Sequence, residues 1–178
     1  MLKFFKHLKT VCVHKYFVFT YMCKAGMPYR GLMHDWSKFS PIEFFESVKY
    51  FDGKVSPIVK CKQANGHSLA WQHHKGCNPH HYEYWVDNLD KGGVAIKMPY
   101  EYLVELICDY LAAGRTYRGK DFTYEDELSW WKSKLANENP KMHPETANFI
   151  TYVFTKLALG YSDLEPRLFE KAKEYLKY

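Results

Sequence analysis

The chain contains no C-x-x-C pair, and its cysteines, Cys12, Cys23, Cys61, Cys77 and Cys108, are odd in number. That pattern argues against a thiolate zinc knuckle and against a secreted disulfide framework, so a reducing, cytoplasmic setting is expected. No run of 18 apolar residues occurs. The opening stretch MLKFFKHLKTVCVHKYFVFTYMCKAG starts basic and continues apolar as a secretory signal would, but His14 and Lys15 interrupt it and no small-residue cleavage pattern follows. It reads as a buried amphipathic helix, and no membrane partner is expected. A glycine-rich phosphate loop, a G-x-S-x-G elbow and a dinucleotide fingerprint are all missing, which removes the common nucleotide-fold and serine-hydrolase readings. Strand-like alternation of useful length and internal repeats are missing too, which leaves an all-α fold.

What is present is a globular composition. At 178 residues, 47% hydrophobic and 18% aromatic, the chain is long enough for one domain, 1–178, to bury a core without disulfides or structural zinc. The net charge of +5 suits anionic partners such as nucleotides but falls short of a dedicated nucleic-acid binder.

Capping and breaker residues divide the chain into helices. Helical spacing predicts a first helix from Leu2 to about Lys24, stopped by Gly26, and a short loop through GMPYRG. Ser40, Pro41 and Glu43 supply an N-cap, a first-turn proline and a capping-box acid for PIEFFESVKYF. DGKVSPIVKCKQANG reads as a loop or short irregular structure. A helix is expected from Ser68 to a stop at Gly76, and another over NPHHYEYWVDNL with Asn78 as cap and Pro79 at its first position. MPYEYLVELICDYLAAG reads as a helix closed by Gly114, followed by a basic loop, RTYRGKD. Thr123 caps the next helix, Pro144 opens another, and Ser162 with Glu165 offers a capping box for the last.

Imidazoles and carboxylates fall on several of these helices, as a metal site in a helical protein requires, because neighbours on one helix diverge by about 100° per residue. His14 interrupts an apolar helix, His34 and Asp35 sit at a helix end, His74, His80 and His81 flank the break at Asn78–Pro79, and Asp109 lies inside ELICDYLAA. His14 taken alone reads first as a hydrogen-bonded core histidine, and His80 and His81 could be surface residues of a first turn. A carboxylate such as Asp109 is costly to bury without a cation or donors. His73 points away from His74 if both are helical.

Taken in order, these residues resemble the HD-domain phosphohydrolase superfamily, an all-helical group. The blocks GLMHDWSKFSPIEF, AWQHHKGCNPHHYEYW, MPYEYLVELICDY and KMHPETANF are similar to a phage and bacterial family of unknown function related to HD proteins. The resemblance spans most of the chain and implies an HD-like helical bundle in which His14, His34, Asp35 and Asp109 hold one metal. Asp35 would bridge to a second, served by His74 and at least one of His80 and His81. Lys38 matches a lysine near the substrate phosphate in several such enzymes, although its bland reading is a surface lysine. The glycine-proline features of the cyclic-dinucleotide branch are missing after the paired histidines, so substrate identity is not inherited.

Two divalent ions, with Mn, Fe, Mg, Ni and Zn all open, would polarise a phosphoryl oxygen and yield hydroxide at neutral pH. The expected activity is therefore hydrolysis of a nucleotide or another small phosphate ester, with Asp35 and Lys38 as catalytic residues. Lys38, Asn78, Arg115 and Arg118, with Lys120 nearby, are candidate substrate contacts, and Tyr82, Tyr84 and Trp85 are either base-stacking or core residues. Two other readings stand beside this one. The same ligands suit a di-iron oxygenase, and a helical module binding nucleic acid or a protein would need no metal at all. A homodimer is also possible on the sequence.

Overall fold

Prolines and glycines set most of the element boundaries. In the computed structural model, which describes residues 2–160 and 166–178, α1 runs Leu2–Lys24 and stops at Gly26, whose φ of +80° suits a residue without a Cβ. Prolines open α2 (Pro28–Met33), α3 (Pro41–Tyr50), α4 (Pro57–Asn65) and α8 (Pro144–Ala158). In this position the missing N–H costs the helix nothing. Side-chain caps open two more helices: Ser68 accepts from Trp71 N ahead of α5 (Leu69–Cys77), and Thr123 accepts from Asp126 N ahead of α7 (Tyr124–Glu138). The remaining helices are α6 (Tyr100–Arg118) and α9 (Pro166–Leu176). The capping box read at Ser162 and Glu165 lies outside the described residues.

The all-α expectation holds, and the departures from the sequence reading have local causes. The loop read over GMPYRG gives way to α2 from Pro28, and the stretch 52–66, read as a loop or short irregular structure, contains α4, which buries only Pro57 and Cys61, too thin a stripe to show as periodicity. The helix expected over NPHHYEYWVDNL does not form. The Asn78 amide instead donates to the His74 carbonyl at 2.7 Å and so caps the end of α5 rather than the start of a new helix. The chain continues through a 3-10 turn, Tyr82–Trp85, into a two-residue antiparallel bridge between β1 (Val86–Asp87) and β2 (Val94–Ala95). Helix α6 does not end at Gly114 but runs to Arg118, taking up much of the expected basic loop.

Helix α6 is the axis of the fold. Its residues Leu103 to Asp109 are all buried, which requires cover on every side: α1 lies along it, the α7–α8 pair packs against it, and α9 closes over α8. Trp131, Phe149, Phe154 and Phe169 join Leu103, Leu106 and Ile107 in one contiguous core. Each such side chain contributes about 1.5–3 kcal/mol when fully buried. Helices α3, α4 and α5 form a second group, which meets α1 through α3. Helix α1 is not buried all round: His7, Val11, His14, Val18 and Met22 face inward, while its opposite face is apolar and exposed. No helix among the described residues is long and apolar enough to cross a membrane.

Candidate metal centre

Two groups of ligand atoms meet at one carboxylate. Asp35 sits between α2 and the 3-10 turn Trp36–Phe39 with φ +55°, a left-handed conformation that Asp adopts more readily than most residues. On one side its Oδ2 lies 2.9 Å from His34 Nε2 and 3.9 Å from His14 Nε2, and Asp109 Oδ1 lies 2.9 Å from His14 Nε2 and 3.5 Å from His34 Nε2. On the other side Asp35 Oδ1 is 3.4 Å from both His74 Nε2 and His80 Nε2, with His81 completing the group. Within each group the donor atoms lie within 4.8 Å of one another, and every contributing residue is buried. The seven residues expected as ligands from the sequence thus come together, and both members of the His80–His81 pair take part.

A second ring of carboxylates, not anticipated in the sequence, fixes the imidazoles. Glu105 Oε1 accepts from His34 Nδ1 at 3.0 Å and lies 3.2 Å from His80 Nδ1, so one oxygen serves a histidine of each group. Its other oxygen accepts from Arg30 at 3.0 Å. Glu43 Oε2 accepts from His74 Nδ1 at 2.8 Å. With a metal at the centre these contacts would hold the proton on Nδ1 and leave Nε2 free to ligate, the usual arrangement behind a metal-binding histidine. Without one, burial disfavours a charged His34, but the carboxylates around it outweigh that and raise it well above the usual histidine range. Glu43 therefore does not act as the capping-box acid of α3, and the Ser40 side chain makes no capping hydrogen bond. His73, turned away from the centre, uses the other Glu43 oxygen at 2.6 Å. Glu105 could have been found from its position one helical turn before Asp109, on the same face of α6.

The donor set fits divalent cations. Nine buried side-chain polar atoms among the described residues have no hydrogen-bond partner, and six of them are His14 Nε2, His34 Nε2, both Asp35 oxygens, His80 Nε2 and His81 Nε2. Most of these six atoms face one another or the Lys38 ammonium at 2.5–3.9 Å rather than fixed donors of their own, and such a convergence of buried polar atoms on one point suits a cation. Burial and the nearby Lys38 push His14 down to about 4, and burial with His80 and His74 holds His81 well below the usual histidine range, so both are neutral, ligand-ready imidazoles at neutral pH. Burial opposes ionisation of Asp35, but His34, Lys38 and His74 outweigh it and hold the carboxyl well below its usual range. The Lys38 ammonium lies 2.5 Å from Asp35 Oδ2.

The centre opens into a cleft of about 860 Å³ lined by His14, Lys38, His74, His81 and Asp109. Of the expected substrate contacts, Lys38 and Arg118 line this cleft; Arg118 also pairs with Asp126 at 3.1 Å. Asn78 is held elsewhere, its amide donating to Ser37 Oγ and the His74 carbonyl, and Arg115 lies against the rings of Phe17 and Phe122. Lys120 is exposed in the turn after α6. Tyr82 lines the cleft, whereas Trp85 packs on Tyr102 and donates to the Pro79 carbonyl, and Tyr84 is exposed. Trp71 borders the second ligand group directly, its ring 4.9 Å from that of His81, with Lys62 Nζ over its other side at 4.7 Å. His7, two turns before His14 on α1, also lines the cleft.

Fold and centre together define a helical protein with a buried histidine–carboxylate cluster able to hold metal, opening into a cleft lined by aromatic residues and by charges of both signs. The chain belongs to a family of unknown function (DUF5662), whose model matches residues 3–156 and so covers every residue of the cluster. No curated protein and no solved structure matches it.

Proposed function

We propose that the protein is a metal-dependent phosphohydrolase acting on a nucleotide or another small phosphate ester, of the kind the HD-domain resemblance implies. The observation that carries this reading is the placement of Asp35, whose two oxygens each face a separate group of imidazoles. A carboxylate in that position suits a bridge between two cations. When bound, such a pair polarises a phosphoryl oxygen and lowers the pKa of water so that hydroxide is available at neutral pH.

The protein's own side chains supply the remaining requirements. Lys38 reaches from the centre into the cleft, where its ammonium would offset phosphate charge; Lys54, Lys62 and Arg118 also line the cleft, on walls that carry Glu83 and Glu138 as well. Trp71 and Tyr82 present aromatic surface beside His81, suited to stacking against a planar leaving group. Glu105 and Glu43 keep five-membered rings of the ligand set in one tautomer and orientation throughout a cycle.

The test is hydrolysis of a panel of phosphomonoesters, phosphodiesters and nucleotides by protein reconstituted separately with Mn, Fe, Zn, Ni and Mg, beside Asp35→Asn and Lys38→Ala. Metal-dependent turnover lost in Asp35→Asn and reduced by at least tenfold in Lys38→Ala is the expected result. Oxygen uptake by the iron form without phosphate release would instead favour a di-iron oxygenase, for which imidazole-rich donors are equally suited.

A further inference from the structure

The positive charge and the exposed apolar surface of this protein coincide. Seven of its 25 basic residues and only one of its 20 acidic ones fall in residues 1–42, so that segment carries +6 and the rest of the chain −1; Arg30 and Lys38 pair with Glu105 and Asp35 at the metal centre, and the other five lie on α1. The one acid is Asp35, which is buried at the metal centre. Of the 21 large hydrophobic residues exposed among the described residues, 11 lie in the first 45 positions, a quarter of the chain.

These side chains form a face rather than a scatter. Along α1 the outward stripe repeats at helical spacing through Phe5, Tyr16 and Phe19, exposed by 59%, 65% and 39%. Lys6 and Lys9 stand exposed beside it. Helix α2 packs so closely on α1 that a Cβ on Gly31 would lie 3.1 Å from the Phe19 backbone, which sets Leu32, 55% exposed, next to that stripe. Trp36, also 55% exposed, follows in the next turn, with Lys15 Nζ 4.6 Å from its ring centre. At about 1.5 Å per residue the stripe from Phe5 to Phe19 extends about 21 Å.

We propose that this face, built from α1, α2 and the turn after them, docks the protein on an anionic lipid surface. Aliphatic and aromatic side chains flanked by lysines are the composition of segments that lie in the plane of a bilayer, with Trp and Tyr at headgroup level and Lys against acidic headgroups. A second copy of the chain fits less well. A two-fold interface sets the patch against itself, and here it would bring cations against cations with no exposed acid from the same 42 residues to pair them. A nucleic acid would use the lysines but leaves Leu32 and Phe19 without a role. The ligands His14, His34 and Asp35 adjoin Lys15, Met33 and Trp36 in sequence, so docking would hold the back of the metal centre to the lipid; the proposal does not depend on the centre's activity.

The experiment is co-sedimentation of the full chain with phosphatidylcholine vesicles and with vesicles containing phosphatidylglycerol, at low and high salt, with size-exclusion light scattering on the same samples. Binding to the anionic vesicles alone, weakened at high salt, is expected. The affinity should fall at least tenfold both in the Lys6→Glu, Lys9→Glu double variant and in Tyr16→Asp. The charge reversal replaces exposed lysines only, so a folding defect does not confuse it, and circular dichroism checks Tyr16→Asp. Equal binding to neutral vesicles would overturn the proposal. So would a protein that stays in the supernatant with both, including one that proves to be a dimer dispersed by Tyr16→Asp, since the face would then be a self-interface.

Discussion

Glu105 holds His34 from behind, its Oε1 3.0 Å from His34 Nδ1, and the same oxygen lies 3.2 Å from His80 Nδ1. One carboxylate therefore orients an imidazole in each of the two ligand groups, and Arg30 balances its charge from the far side. The two groups are coupled twice, through Asp35 in front and Glu105 behind.

Loss of Glu105 should weaken both groups at once. Outer carboxylates of this kind are worth about 10- to 100-fold in metal affinity. Glu105→Gln is expected to weaken both binding steps in a metal titration by that factor. Glu43→Gln, which touches only His74 of the ligand set, should weaken one step and leave the other near its wild-type value.

Metal selectivity follows from the donors. The first group offers two imidazoles and two carboxylates, the second three imidazoles and one carboxylate. Imidazole-rich sites favour Mn, Fe, Ni or Zn over Mg, which prefers oxygen ligands and retains its water. Competition binding monitored by elemental analysis should show Mg displaced by any of the other four at equal concentration.

Gly114 should resist substitution although it lies inside a helix, where Ala is ordinarily better by about 1 kcal/mol. A Cβ there would fall 2.3 Å from Glu127 Oε2 and 2.7 Å from Phe122. Gly114→Ala must displace the buried Glu127 side chain or move α7, so it is expected to destabilise the protein by about 1–3 kcal/mol in urea unfolding. This glycine, which the sequence offers as a helix stop, is instead a point of close approach.

Glu127 should make stability fall with rising pH. Burial raises its carboxyl from 4.5 to about 7, with Arg118 opposing and Asp109 adding to the rise. The folded state therefore favours the protonated form. Its contribution is fully present below the unfolded value of 4.5 and is lost as pH climbs through about 7, a difference of at most about 3 kcal/mol. Urea midpoints of wild type and Glu127→Gln compared at pH 5 and pH 8.5 should show the variant gaining on the wild type at the higher pH.

Much of the centre could be read from the sequence because its ligands interrupt otherwise apolar helices: His14 and Asp109 stand out against neighbours such as Val11, Val18 and Ile107. The helix ends at Gly26, Thr123 and Pro144 were equally plain, since capping and breaking are local effects. What stayed hidden depends on tertiary partners. Glu43 sits where a capping acid belongs and is taken instead by two histidines 30 and 31 residues away. Glu105 resembles any charged residue of an amphipathic helix until α6 proves to be covered on all sides. Asn78 has the right chemistry to start a helix and uses it to end one. The outward face of α1, read as buried, is apolar on both sides, and periodicity alone does not tell a core stripe from a docking stripe.

The most direct test of the proposed two-metal centre is metal content per chain after dialysis against metal-free buffer and reconstitution, measured for the wild type and for Asp35→Asn. Close to two equivalents in the wild type, with both lost or severely weakened in the variant while its helical circular dichroism is unchanged, is the predicted result. A wild type that retains no metal, or an Asp35→Asn protein that still holds two, would contradict it.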